Sequence, residues 1–401
     1  MSRAAARPPI ALGALLIVGV VGWIGLIWIG ASLYASTPPK AGFDLELLLG
    51  AGRDVVAGRF PYDPALVAGV APVAESLFYS YPPVVAQAMA LVAWIPSPVA
   101  FVAWDVAAVA GLAVIAAALG RRLAPARPTA SIVIPVVAVA PLCFPFAIGL
   151  LFGNLDVFFP LLYGAMLLAV MPGTSSAAAD RAGGLALAAA SIAKLHPASL
   201  VAWFGVRGLG GDRRSTRVLA VAVVLGAGLL AVSLLVFGVA TWADYLAVVR
   251  AGSNADLVDV RNAGPAVQLA LLLGQDDRFA RTAQIAVTAT VLVITVLAAR
   301  RGGDPVERLA WAAAASLATL PVTWFHYPSA LIPFGLAALL RSSGTPAAGA
   351  VRGWIAGALV MAALAIAILP LLWLAIGLVL VAVRLSRTDA ATAAAKAEPA
   401  A

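Results

Sequence analysis

Short runs of chemically able side chains interrupt an otherwise apolar chain. Lys194-Leu195-His196-Pro197 sits inside the apolar segment 184–206, where an ionisable group is costly and by default faces a cavity or a partner. Its plainer reading is a lysine that snorkels to the interface. Thr323-Trp324-Phe325-His326-Tyr327-Pro328 carries the second of two histidines, which a structural role at a helix end would also explain. Gly153-Asn154-Leu155-Asp156 punctuates two apolar stretches and reads equally as a tight polar turn. Tyr79-Ser80-Tyr81-Pro82-Pro83 joins aromatics to a diproline, or forms an interfacial aromatic belt. Asp44 opens a run in which Leu45, Leu48, Leu49, Gly52, Val55 and Val56 keep helical spacing, with Glu46 and Arg53 on another face. That predicts a short amphipathic helix in the membrane interface, where Asp44 has an N-cap as its plainer role. Further along, Phe60-Pro61-Tyr62-Asp63 precedes the aromatic run. The segment 240–281 gathers Trp242, Asp244, Tyr245, Arg250, Asn254, Asp256, Asp259, Arg261 and Asn262, singly solvated but long enough together to cover a site.

Other chemistry finds no support. No His-x-x-His or His-Glu-x-x-His pair is present, so no metal is expected. Cys143 is the single cysteine, which excludes an internal disulfide and reads as a buried small apolar residue. No Walker or Gly-x-Gly-x-x-Gly loop opens a helix, and no cofactor is expected. The net charge of +8 comes in short clusters between apolar segments rather than as a phosphate-binding stripe, so nucleic acid is not a partner.

The elements that must position these residues follow from composition. With 63% apolar and only 11% charged residues, against about 25% charged in soluble domains, the chain is predicted to be an all-α polytopic membrane protein. Stretches of roughly 20 apolar residues recur. Arg3 and Arg7 precede an apolar run over 10–33 that is too long for a signal-peptide core, so it is read as an uncleaved first helix. Placing the arginine clusters in the cytoplasm yields ten spans, near 10–33, 98–119, 129–148, 155–171, 217–239, 282–299, 308–323, 327–341, 352–369 and 370–386. Residues 82–97 and 184–206 resist this scheme and read as broken or re-entrant, or as pairs of short spans that raise the total to as many as thirteen. The scheme makes 1–386 one transmembrane domain with both termini cytoplasmic, 34–81 a first outer loop, 240–281 a second, and 387–401 a disordered tail. Most of the 26 basic residues then fall inside and most of the 18 acidic ones outside. The chemically able runs all map to the outer side.

The order of these motifs resembles glycosyltransferase family 87. Aspartate–leucine before an amphipathic helix, Pro-Tyr-Asp, Tyr-Pro-Pro, a Gly-Asn turn, Lys-x-x-Pro and Trp-x-His-Tyr follow one another over about residues 10–385. The chain departs at Leu47, where many relatives carry an aromatic, and at Gly153-Asn154, where many have Gly-Gln before the Asn. The resemblance implies a GT-C-type bundle of the bacterial plasma membrane, actinobacterial in character. It implies a hexosyltransferase that uses a polyprenyl-phosphate sugar donor and a glycolipid acceptor among membrane lipids. It implies Asp44 as general base and inversion at the anomeric carbon, giving an α-mannoside, α-1,2 by expectation, on a phosphatidylinositol mannoside. A carboxylate at the interface can accept the hydroxyl proton, and the phosphate leaving group needs electrostatic stabilisation more than protonation. Lys194, His196, His326, Arg250 and Arg261 are the available cations or donors, His326 and Lys194 foremost. Tyr81 and Trp324 would flank sugar or lipid, with Tyr62 and Asn154 beside the acceptor.

Two alternatives stay open. The same family includes polyprenyl-phosphate-arabinose-dependent arabinosyltransferases, and no residue separates a hexose pocket from a pentose one. A secondary transporter would explain Asp105, Asp156 and Lys194, but predicts polar residues near mid-membrane and related halves.

Overall fold

The computed structural model describes residues 9–37, 39–71, 77–173, 176–253, 257–300 and 303–397, and every regular element among them is helical. The N-terminal part comprises α1 (Pro9–Tyr34), α2 (Phe43–Val56), α3 (Pro64–Val67), α4 (Pro83–Ala90), α5 (Ser97–Leu123) and α6 (Ala130–Val139). The middle comprises α7 (Phe144–Phe152), α8 (Phe159–Val170), α9 (Ala177–Ala193), α10 (Ser199–Leu209) and α11 (Arg213–Ser253). It closes with α12 (Pro265–Leu273), α13 (Asp277–Arg300), α14 (Pro305–Ser316), α15 (Ile332–Arg341), α16 (Ala348–Leu364) and α17 (Leu371–Ala397). Arg3, Arg7, Asn254, Asp256 and Arg301 lie outside the described residues.

Among the described residues, four helices are long and apolar enough to cross a bilayer: Gly13–Tyr34, Ser97–Leu123, Arg213–Gly252, which is kinked at Gly238, and Asp277–Arg300. Ala130–Leu142 and Phe144–Phe152, bent by 72°, make a fifth if taken as one span. The multi-pass, all-helical architecture is therefore present with fewer uninterrupted spans than hydropathy suggests. The remaining apolar segments are broken by backbone chemistry. Proline stands in the first turn of α8 and α15, and of the 3-10 turn Tyr327–Leu331, where it begins a helix but cannot continue one. The predicted 308–323 span ends as α-helix at Ser316 and passes through the 3-10 turn Leu317–Thr319. Both segments expected to be broken are short helices: α4 has 8 residues, and 184–206 parts at Lys194 between α9 and α10.

Two further segments, read from sequence as loop and tail, carry helix. The predicted loop 240–281 is helical over most of its described length: Gly238 (φ 75°, ψ 174°) interrupts α11 at a kink, and a second helical stretch follows it. Beyond that bend Tyr245, Val248 and Ala251 turn one apolar face inward. The predicted disordered tail continues α17 to Ala397, as its alanine-rich composition favours.

The main core gathers α5, α7, α8, α9, α10, α14, α15 and α17 around Phe146, Phe159, Trp203, Phe204 and Phe334. A second cluster packs α2 and α4 on the late part of α11 through Leu45, Leu48, Leu49, Val85, Met89, Tyr245 and Val248. The helix breaks at 153–154, 194–196 and 323–326 come together beside the start of α2.

Candidate active site

Asp44 is the second residue of α2, and it does not cap that helix: the cap is Gly42, in the left-handed conformation at φ 72°. Gly42 N donates to Leu151 O at 2.8 Å, tying the start of α2 to the end of α7. There Gly153, also left-handed (φ 66°), closes α7 as its C-cap and turns the chain into Asn154. The Asn154 amide Nδ2 donates to Asp44 Oδ2 at 2.6 Å, while its Oδ1 accepts from Asp156 N at 2.9 Å. One asparagine thus holds both the turn and the carboxylate.

Behind this contact lies a buried ionic group. Asp156 is fully buried, and its Oδ2 accepts from Lys194 Nζ at 2.7 Å. His326 Nε2 lies 3.1 Å from the same oxygen. Lys194 also reaches Asn154 Oδ1 at 3.4 Å and sits 4.1 Å from the centre of the Tyr327 ring. It is buried and paired, so it does not snorkel. His196 stacks on Tyr327 at 5.6 Å, and its Nδ1 is 3.4 Å from Ser316 Oγ. Ser329 Oγ donates to Asp156 O at 3.0 Å. The Tyr81 phenol lies within electrostatic reach of Lys194 and Asp44.

Burial pushes the Asp44 carboxyl above the ordinary carboxylate range; His326, the Asn154 hydrogen bond and Lys194 oppose that shift, and Asp156 adds to it. The result is a half-buried carboxylate beside a lysine and a histidine on a shared counter-charge. Such a set can accept a proton at one atom and bind an anion next to it.

Of the residues singled out from sequence, Asp44, Asn154, Lys194, His326, His196 and Tyr81 converge here. Tyr62 stands one step back, its hydroxyl donating to Tyr81 O at 3.0 Å. Trp324 is half-buried in the connection before His326. Arg250 and Arg261 are exposed, Arg261 pairing with Asp259 at 2.7 Å, and the buried group is built without them. Sequence reasoning gave Asp156 no place in the catalytic set, naming it only in a turn and under the transporter alternative, although it is the centre of the ionic group. The signal was a second acidic side chain in an apolar stretch, the same reason that drew attention to Lys194.

One comparison with known families bears on the chain as a whole. The sequence profile of glycosyltransferase family 87 matches residues 79–324. The chain belongs to glycosyltransferase family 87. The match takes in Tyr81, Asn154, Asp156, Lys194 and His196, whereas Asp44 precedes it and His326 follows it closely. No curated protein and no solved structure matches the chain. Family 87 is a GT-C membrane family, and this member is a multi-pass membrane glycosyltransferase. Among the described residues of this glycosyltransferase, no group of His, Cys, Asp and Glu is placed to hold a metal ion.

A cavity of about 700 Å³ opens on the other face of α2 from Asp44, with Tyr34, Phe43, Glu46, Asp54, Asp63 and Phe101 in its wall. A smaller apolar groove of about 170 Å³ begins at Pro328, two residues after His326, and follows α15 to Leu339.

Proposed function

We infer that this glycosyltransferase moves mannose from polyprenyl-phosphate-mannose to a lipid-anchored mannoside of the phosphatidylinositol mannoside type. In this reading transfer inverts the anomeric carbon, makes an α-1,2 linkage and takes place on the periplasmic side, with both termini cytoplasmic. The observation that carries it is the convergence of Asp44, Asn154, Lys194 and His326 from four separate segments.

The chemistry follows from their placement. Asp44 accepts the proton of the acceptor hydroxyl as that oxygen attacks the anomeric carbon of the donor. The bond from that carbon to the phosphate oxygen breaks, and the lipid phosphate leaves with the electron pair. A raised carboxylate pKa makes Asp44 a stronger base than a solvated aspartate. Lys194 and His326, aligned by Asp156, offer N–H groups to the leaving phosphate. The apolar groove beginning at Pro328 suits the polyprenyl tail.

The deciding experiment gives purified wild type and Asp44→Asn radiolabelled polyprenyl-phosphate-mannose with an actinobacterial glycolipid extract. Wild type should move label into a mannoside and Asp44→Asn should not. Normal turnover by Asp44→Asn would remove the base assignment. Transfer from polyprenyl-phosphate-arabinose alone would replace the mannosyl reading with an arabinosyl one.

A further inference from the structure

A second charged centre lies at the end of the bundle away from Asp44. Three helices connect the two ends. α10 starts just after His196 and carries Arg207 in its last turn, and α15 starts just after the Tyr327–Leu331 turn and ends at Arg341. α14 runs the other way, from Pro305 to Ser316, whose Oγ approaches His196. At 1.5 Å per residue that places the centre roughly 18 Å from the Ser316 end.

Most arginines there have their own carboxylates. Arg207 pairs with Asp212 at 2.7 Å, Arg341 with Asp304 at 2.5 Å, and Arg384 and Arg387 share Glu307 at 2.7 and 2.9 Å. Arg308 differs. It is only 9% exposed, and its buried Nη2 has no hydrogen-bond partner among the described residues. Gly303 lies between it and Arg387: a Cβ there would stand 3.5 Å from Arg308 Nη2 and 3.6 Å from Arg387 Nη1. Two guanidiniums therefore flank one glycine that has no side chain of its own. These five arginines face three carboxylates, so the centre carries an excess of positive charge. A buried guanidinium N–H without a partner is costly, and a multi-oxygen anion is its natural complement.

We propose that Arg308 and Arg387, on either side of Gly303, form an anion site that takes a phosphate group at the end of the bundle away from Asp44. Guanidinium forks match phosphate oxygens; Arg387 Nη1 holds Glu307 Oε2, and the other N–H groups of Arg387 are the ones offered to the ligand. A phospholipid head group and free phosphate share this chemistry, and the experiment separates them. The site takes no part in sugar transfer.

The full-length protein in neutral detergent is titrated with phosphatidylglycerol, with phosphatidylcholine of the same acyl chains, and with inorganic phosphate, while Tm is followed by tryptophan fluorescence. Phosphatidylglycerol should raise the wild-type Tm and phosphatidylcholine should not. Arg308→Gln should raise the ligand-free Tm, since it removes an uncompensated cation, and should weaken the phosphatidylglycerol response by roughly tenfold or more in apparent affinity. Arg213→Gln makes the same change in net charge at an exposed arginine that opens α11, and should leave the response as in wild type. A response to inorganic phosphate with the same dependence on Arg308 would make free phosphate the ligand. Should Arg308→Gln fail to fold, Arg387→Gln asks the same question, because Glu307 keeps Arg384. Wild-type affinity in the Arg308 or Arg387 variant, or equal losses in Arg308→Gln and Arg213→Gln, overturns the site.

Discussion

Asn154 and Asp44, 110 positions apart in sequence, are joined by a 2.6 Å hydrogen bond from the asparagine amide to the carboxylate. The bond favours the charged form of Asp44 against the burial that disfavours it. If Asp44 is the base, its ionised form is the active one, and activity falls as pH drops through its pKa. Because that pKa is raised, the acid limb of kcat against pH should lie above the ordinary carboxylate range. Asn154→Ala removes the opposing hydrogen bond, so the limb should move to still higher pH while activity at alkaline pH falls less. A limb that stays in place after Asn154→Ala would dissociate the pH dependence from Asp44.

Much of this arrangement is legible in the sequence, for reasons particular to membranes. Lys194 and His196 stand out because charge in an apolar segment is costly, and the α2 helix because Leu45, Leu48 and Leu49 keep its period. Asp156 is less visible, because two residues from Asn154 it is indistinguishable from turn chemistry until Lys194 is seen to point at it. The count of unbroken spans is also poorly legible. Hydropathy records that a segment is apolar, but not that Pro160, Pro328 or Pro333 starts a new helix within it. Arg250 and Arg261 attract notice as cations near the site in sequence terms, yet both are exposed, Arg250 on α11 and Arg261 in the connection after it, where it pairs with Asp259.

Gly153 predicts a coupling between backbone and chemistry. An added Cβ would stand 2.7 Å from Leu45 Cβ, next in sequence to Asp44, in a conformation that disfavours any side chain. Gly153→Ala should lower Tm by an amount equivalent to about 1–3 kcal/mol and lower kcat of the folded enzyme by about tenfold or more through displacement of Asp44. Gly211→Ala is the control: its φ is +92° with nothing within 4 Å. It should cost stability and leave kcat unchanged. Equal kcat in the two variants would show that the Gly153–Leu45 approach does not position the base.

The Asp156–Lys194 pair should behave as a unit in thermal unfolding. Removing one member of a buried pair leaves the other uncompensated, a loss of about 3–5 kcal/mol. Asp156→Leu and Lys194→Met should each lower Tm strongly, and the double variant should be more stable than either, since no buried charge is stranded. Additive losses would mean that water or another group compensates each charge separately. The double variant should remain inactive even if well folded, because the N–H groups that meet the leaving phosphate would be gone.

The two histidines should separate by role. His196 lies between Phe159 and Tyr327, with ring centres 5.5 and 5.6 Å away, and its Nε2 has no partner among the described residues. Its contribution is largely that of a flat ring supporting Tyr327, over which Lys194 sits. His196→Phe preserves ring and volume, so kcat should stay within about fivefold of wild type. His326 instead brings Nε2 to 3.1 Å from the oxygen that holds Lys194. His326→Phe should lower kcat by about a hundredfold or more, as loss of one well-placed donor does, with a smaller change in KM for the lipid-phosphate donor if the contact strengthens as the phosphate leaves. Parallel measurement of kcat and KM in both variants checks this. A large kcat loss in His196→Phe with little in His326→Phe would exchange the roles and place the phosphate on the Ser316 side of Tyr327.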